Sequence, residues 1–169
     1  MIVSSTRGGS IPNPIRYWHE AEIPDEIKQV IRTIGYTEPT PIQRQSIPIA
    51  LMNRDLIGVA ETGNKTDVKS YTTLIHKFVG SGKTASFLIP LLSFITKLPK
   101  ITEENQHLGP YALILAPTRE LAQQIDAECV KFAKPLGFTC VSFIGGRMME
   151  EQAFSMRNGA EIIIGTPGK

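Results

Sequence analysis

At 169 residues, with 41% apolar and 20% charged side chains, the chain has the make-up of a soluble globular protein with one sizeable core. A net charge of +2 carries no basic signature, so composition alone does not argue for nucleic acid, and the apolar runs are far too short to span a membrane. Cys129 and Cys140 have neither metal nor redox spacing and no signal peptide leads the chain, which makes a reducing cytoplasmic or nuclear compartment the expectation.

Residues 1–14 are punctuated by Ser, Gly and Pro without a period, and read as an extended lead-in to a globular part over 15–169. Pro24-Asp25-Glu26 sets up a first helical turn. Ile27, Val30, Ile31 and Ile34 follow at helical spacing, and Gly35 stops the helix. Pro41 opens a second helix carrying Ile42, Ile47, Ile49 and Leu51, with Pro48 expected to interrupt it. Four short apolar runs, residues 56–60, 112–116, 139–144 and 162–165, have the pattern of buried parallel strands. Helical patterns over 83–97, 119–134 and 150–157 separate them, so the chain is expected to fold as a doubly wound α/β sheet.

Between the first of those strands and its helix lies a phosphate-binding loop in two pieces. Ala60-Glu61-Thr62-Gly63 ends the strand, and Ser81-Gly82-Lys83-Thr84 opens the helix. Joined, they spell A-E-T-G-S-G-K-T, but the 17 residues 64–80 stand between them. Such a loop curls backbone N–H groups around phosphate oxygens at a helix N-terminus, and its glycines permit the curl. Thr62, Gly63, Ser81 and Gly82 are the expected cradle. Lys83 is placed to reach the β and γ phosphates, and the Thr84 hydroxyl to bind Mg²⁺.

Gly35-Tyr36-Thr37-Glu38-Pro39-Thr40-Pro41-Ile42-Gln43 resembles the Q motif of DEAD-box RNA helicases, and Trp18 stands 17 positions before Gly35, where that family keeps an isolated aromatic. The resemblance implies a RecA-like fold of the P-loop NTPase type, with ATP and Mg²⁺ as cofactors. It implies that Gln43 reads the adenine edge while Tyr36 and Trp18 pack near the base. Pro117-Thr118-Arg119-Glu120-Leu121-Ala122, Gly145-Gly146 and Thr166-Pro167-Gly168 resemble the motifs that grip one RNA strand by its backbone, with Lys169 where the family has Arg. Taken alone, Arg119 and Glu120 read rather as a plain surface pair on the helix. The resemblance covers residues 5–63 and 81–169. It leans toward the pre-mRNA-splicing branch acting at the 5′ splice site, through Gly8-Gly9-Ser10-Ile11-Pro12-Asn13-Pro14, Arg44-Gln45-Ser46-Ile47-Pro48-Ile49, Phe87-Leu88-Ile89-Pro90-Leu91-Leu92 and Lys134-Pro135-Leu136-Gly137. That branch implies a nuclear location, RNA and spliceosomal proteins as partners, and no membrane.

The family's D-E-A-D tetrad, S-A-T motif and second RecA-like domain are not in the sequence. The enzyme class implied is an ATP-hydrolysing RNA helicase, yet hydrolysis by this chain alone is not expected, and the RecA-like domain is expected to be partial at its C-terminal end. A D-E-A-D strand would lie beside the phosphate-loop strand, so its loss should open the sheet, at about 1–3 kcal/mol for each buried polar group left unpaired. The insert costs less: lengthening a loop from about 4 to about 21 residues adds roughly 1.5 kcal/mol of closure entropy. Two arrangements fit it. Either residues 56–60 stay in the sheet and the insert bulges out, or residues 74–79 slip into the strand position and bury His76 and Lys77. The bulge is favoured. Glycines at both edges, Gly63 and Gly80, are what a split glycine codon would leave, so a retained 51-nucleotide intron (17 codons) is the expected origin, and a lineage-specific loop the alternative. Three functional readings stand: a piece of an RNA helicase, an inactive truncated product that binds RNA or partners weakly, and an ATPase acting on DNA.

Overall fold

The computed structural model describes residues 6–60, 82–144 and 159–167. Its contacts fall into two compact units, Met1–Ile23 with Tyr36–Pro90, and Pro24–Gly35 with Leu91–Lys169.

The first unit is built on helix α2 (Pro41–Leu51). Thr40 and Gln43 form a capping box at its start, with the Thr40 N–H donating to Gln43 Oε1 at 2.8 Å, and Pro41 occupies the first turn, where its missing N–H costs nothing. Ile47 and Ile49 are buried. Pro48 does not interrupt the helix as expected; α2 continues through it to Leu51. A proline there deletes the N–H that would bond the carbonyl four residues back, which is that of Arg44. The deprived Arg44 carbonyl accepts the N–H of Ile15 instead, at 2.9 Å, so no buried acceptor is stranded. A single 3-10 turn, Trp18–Glu20, carries the buried Trp18. Glu20 accepts the N–H of Arg16 at 2.6 Å, and that bond holds its carboxyl below the ordinary carboxylate range.

Helix α1 (Asp25–Ile34) belongs to the second unit. Asp25 and Glu26 complement the positive end of its dipole, and Gly35 closes it at φ 87°, a left-handed cap that favours glycine. Helix α3 (Lys83–Ile95) begins in the first unit and ends in the second. Strand β1 (Ala112–Leu115) leads into helix α4 (Arg119–Ala133), which buries Ala122, Ile125, Cys129 and Phe132 along one stripe. A 3-10 turn, Lys134–Leu136, then feeds β2 (Cys140–Phe143), and β3 (Ile162–Gly165) completes a parallel sheet ordered β1-β3-β2. Ala112, Ile162 and Cys140 lie in one row, and Leu115, Gly165 and Phe143 in another. Ile162 and Ile164 of the central strand are fully buried. The buried Glu161 carboxylate, just before β3, accepts the N–H of Ile101 at 3.2 Å and of Thr139 at 2.8 Å, fixing two loops to the sheet. Cys140 meets α4 at Asp126, Sγ to Oδ1 3.8 Å. A hydrogen bond with Cys129, then burial and the neighbouring charge, hold the Cys140 thiol far above its ordinary range.

The strand expected over 56–60 is not formed. Ile57 is 95% and Val59 91% exposed, and among the described residues no strand lies beside them to complete a ladder. The bulge arrangement therefore lacks its premise of a strand held in the sheet. The insert 64–80 and the helical pattern over 150–157 lie outside the described residues.

Candidate functional site

In the first unit, the capping box at the head of α2 reaches the phosphate-loop half-motif that opens α3. Gln43 is 1% exposed, and its Nε2 donates to the carbonyl of Gly82 at 3.0 Å. Its other amide end is the Oε1 that caps Thr40. Gly82 sits at φ 70°, and a Cβ there would run into Gln43 Nε2 and Thr40 Oγ1. Only glycine allows that conformation and that approach together. The next residue, Lys83, extends its ammonium to the carbonyl of Ala60 at 3.2 Å. Ala60 is the last described residue before the insert, so the flanks of the two half-motifs, 23 residues apart in sequence, meet within one hydrogen bond. Thr84 lies half-buried beside Lys83 in the first turn of α3.

Trp18 and Tyr36 come together in the same unit, ring centroids 6.5 Å apart and tilted by 31°. Trp18 is 8% exposed and its indole Nε1 has no hydrogen-bond partner among the described residues; the hydroxyl of buried Ser46 on α2 is likewise unsatisfied. Buried donors without partners are rare. Arg44 stiffens the segment before α2, its Nε donating to the Pro39 carbonyl at 2.9 Å and its Nη2 pairing with Glu38 at 3.2 Å.

In the second unit, the carboxyl ends of β1 and β3 deliver Pro117 to Arg119 and Thr166 to Pro167. Ala116 N–H bonds the Gly165 carbonyl at 2.9 Å, and Thr166 N–H bonds the Phe143 carbonyl at 3.2 Å, so β1, β2 and β3 end along one edge and Ala116 and Thr166 leave from it side by side. That edge is where open α/β sheets take ligands. Thr118 caps α4, its Oγ1 accepting the Leu121 N–H at 3.3 Å. Pro117, Thr118, Arg119 and Pro167 are exposed, and Thr166 is half-buried. An exposed helix N-terminus flanked by Arg119 suits a phosphate diester.

Of the sequence-predicted residues, Trp18, Tyr36, Gln43, Gly82, Lys83 and Thr84 lie in the first unit. Pro117, Thr118, Arg119, Thr166 and Pro167 lie in the second. Thr62, Gly63, Ser81, Gly145, Gly146 and Gly168 fall outside the described residues. Among the described residues no group of three His, Cys, Asp or Glu side chains could hold a metal ion, and no helix is long and apolar enough to cross a membrane. The roles of Arg44 and Glu161 carry no motif: Glu161 accepts backbone N–H groups, and Arg44 divides its guanidinium between the Pro39 carbonyl and Glu38.

The DEAD/DEAH box helicase family matches the chain over residues 40–169. The chain is 56% identical over 165 residues to the pre-mRNA-splicing ATP-dependent RNA helicase PRP28 of Cryptococcus neoformans, covering 98% of the chain and 20% of that protein. It is 57% identical to prp-28 of Neurospora crassa with the same coverage. The chain thus spans about a fifth of the length of the curated relatives it matches. Among solved structures, the RNA helicase Prp28 from Chaetomium thermophilum bound to ADP superposes with a TM-score of 0.77 at 54% identity, covering 96% of this chain and 35% of that one. The yeast DEAD-box splicing factor Prp28 gives a TM-score of 0.80 at 38% identity, covering 97% and 36%.

Proposed function

The chain belongs to the DEAD/DEAH box helicase family, and from that premise we propose that it is the nucleotide- and RNA-gripping piece of an ATP-dependent RNA helicase of nuclear pre-mRNA splicing. The single observation that supports this best is the bond from Lys83 to the Ala60 carbonyl. It keeps the edges of an interrupted phosphate loop together, beside a Gln43 that already touches Gly82.

The chemistry follows from those contacts. Gln43 has spent one amide hydrogen on Gly82 and one lone pair on Thr40, so one donor and one acceptor remain for an adenine edge. Tyr36 and Trp18 supply the apolar surface for the base. Lys83 rests on a neutral carbonyl oxygen, which a phosphate oxygen would displace with a stronger charge-assisted bond. Thr84 would share Mg²⁺ with the phosphates, and Thr62, Gly63, Ser81 and Gly82 would supply backbone N–H groups. In the second unit, the α4 N-terminus with Thr118 and Arg119, and the segments around Gly145, Gly146 and Thr166 to Gly168, would hold sugar and phosphate without reading bases. RNA and spliceosomal proteins are the partners this reading assigns.

A second reading, an inactive product with weak RNA or partner binding, is favoured by the insert between Gly63 and Ser81. Titration of a fluorescent ATP analogue into the chain as it stands, and into the chain lacking residues 64–80, separates the two. The helicase reading expects micromolar binding by the shortened chain and binding weaker by about tenfold or more with the insert present. No binding by either chain would sink it. Sequencing of the transcript across codons 63–80 shows whether the shortened form is also made in the cell, as a retained intron requires.

A further inference from the structure

Residues 9–15, at the end of the extended lead-in, are tied to helix α2. Four hydrogen bonds, to Arg44, Gln45 and Arg54, lay them along α2 in the opposite direction. Ile15 N–H reaches the Arg44 carbonyl at 2.9 Å, and Gln45 Nε2 reaches the Pro12 carbonyl at 3.1 Å. Arg54 Nη1, just past the helix, reaches the carbonyls of Gly9 at 2.6 Å and Ser10 at 2.9 Å. The lengths agree: Arg44 to Leu51 advances about 10 Å at helical rise, Arg54 follows just past the helix end, and Ile15 back to Gly9 spans at most roughly 20 Å of chain. Ser10 is held at φ 49°, unusual for a residue with a Cβ, where the segment bends onto the guanidinium.

The first of these bonds is favoured by Pro48. A residue with an N–H at that position would compete for the Arg44 carbonyl, and the bond from Ile15 would weaken. The strap ends at Ile15, which is buried, and three residues on stands Trp18, also buried and beside Tyr36. The same Arg44 whose carbonyl anchors the strap grips Pro39 and Glu38 with its side chain.

We propose that residues 9–15 form a strap, seated by the Pro48-vacated carbonyl of Arg44 and latched by Arg54, whose work is to position Trp18 against Tyr36 at the base end of the nucleotide site. Arg54 is thus a positioning residue that touches no nucleotide. The consequence for nucleotide rests on the helicase reading above; the placement of Trp18 does not.

Trp18 is the single tryptophan of the chain, so intrinsic fluorescence reports its surroundings without a label. The experiment compares the full chain with Arg54→Gln, Arg54→Lys and Pro48→Ala. It repeats Arg54→Gln in a chain lacking residues 1–10, where both latch carbonyls are gone. The strap requires a red-shifted emission and readier acrylamide quenching in Arg54→Gln and in Pro48→Ala, with helical circular dichroism retained. Arg54→Lys, which keeps the charge and most of the reach, falls between, and Arg54→Gln adds nothing in the shortened chain. Unchanged Trp18 fluorescence in Arg54→Gln, or an undiminished effect after residues 1–10 are removed, overturns the proposal. Affinity for the fluorescent ATP analogue is read alongside, with a weakening of about three- to tenfold expected in Arg54→Gln. If the unmodified and insert-free chains bind no nucleotide, the helicase reading falls while Trp18 fluorescence still decides the strap.

Discussion

Residues 56–60 and strand β1 are two short apolar runs of one chain, L-I-G-V-A and A-L-I-L, that meet different fates. β1 exchanges hydrogen bonds with β3 along its whole length, and Ala112 and the following Ala116 are buried while Leu113 and Leu115 face water. Residues 56–60 have no such neighbour among the described residues, and Ile57 and Val59 face water. Both runs carry strand-favouring residues; only one has a paired ladder. A strand is stabilised by its partners, and an apolar run without one is exposed surface that attracts other chains.

The sharpest way to break this comparison is to cut one side chain from each region. Ile164→Ala removes fully buried volume from the central strand and should cost about 2–5 kcal/mol in denaturant melts. Val59→Ala should stay within about 0.5 kcal/mol, as at other exposed sites. Equal losses would mean that residues 56–60 are packed after all. A smaller effect sharpens the β1 side. Thr118→Ala deletes the cap of α4 and should cost roughly 0.5–1 kcal/mol, since the bond is exposed and 3.3 Å long; Thr118→Ser should restore most of it.

The weakest effects have opposite pH signs in the two units. Cys140 keeps its proton in the folded state after an unfolded thiol has lost it, so its contribution is full below the ordinary thiol range and falls as pH rises through and above it. Melts of Cys140→Ser should flatten the alkaline slope. Glu20 titrates below its unfolded range, so the turn Trp18–Glu20 is supported at neutral pH and loosens as pH falls through the depressed value. Acid-side Trp18 fluorescence should shift in the parent chain and not in Glu20→Gln.

Much of this architecture is legible in residue order. Gly35 as a stop, the stripe of α4 and three of four strands follow from period and punctuation alone. Residues 56–60 misled because periodicity says which face is apolar and nothing about who stands opposite. Pro48 misled for a related reason: its penalty is local, while the group that relieves it, the Ile15 N–H, is 33 positions away. Within the candidate site, Gln43, Gly82, Lys83 and Thr118 announce themselves by motif. Arg54 does not, because it binds backbone carbonyls about 45 residues distant, and any residue could supply those.

The strand order β1-β3-β2 also constrains when this sheet can come into being. Its middle member is the last of the three to be synthesised. While a ribosome is still extending the chain toward Ile162, β1 and β2 lack the strand that both of them pair with among the described residues. Nascent chains paused upstream of residue 162 should therefore carry two sticky apolar segments with no sheet to hide them. The interval between making β1 and making β3 is when a chaperone has most to shield.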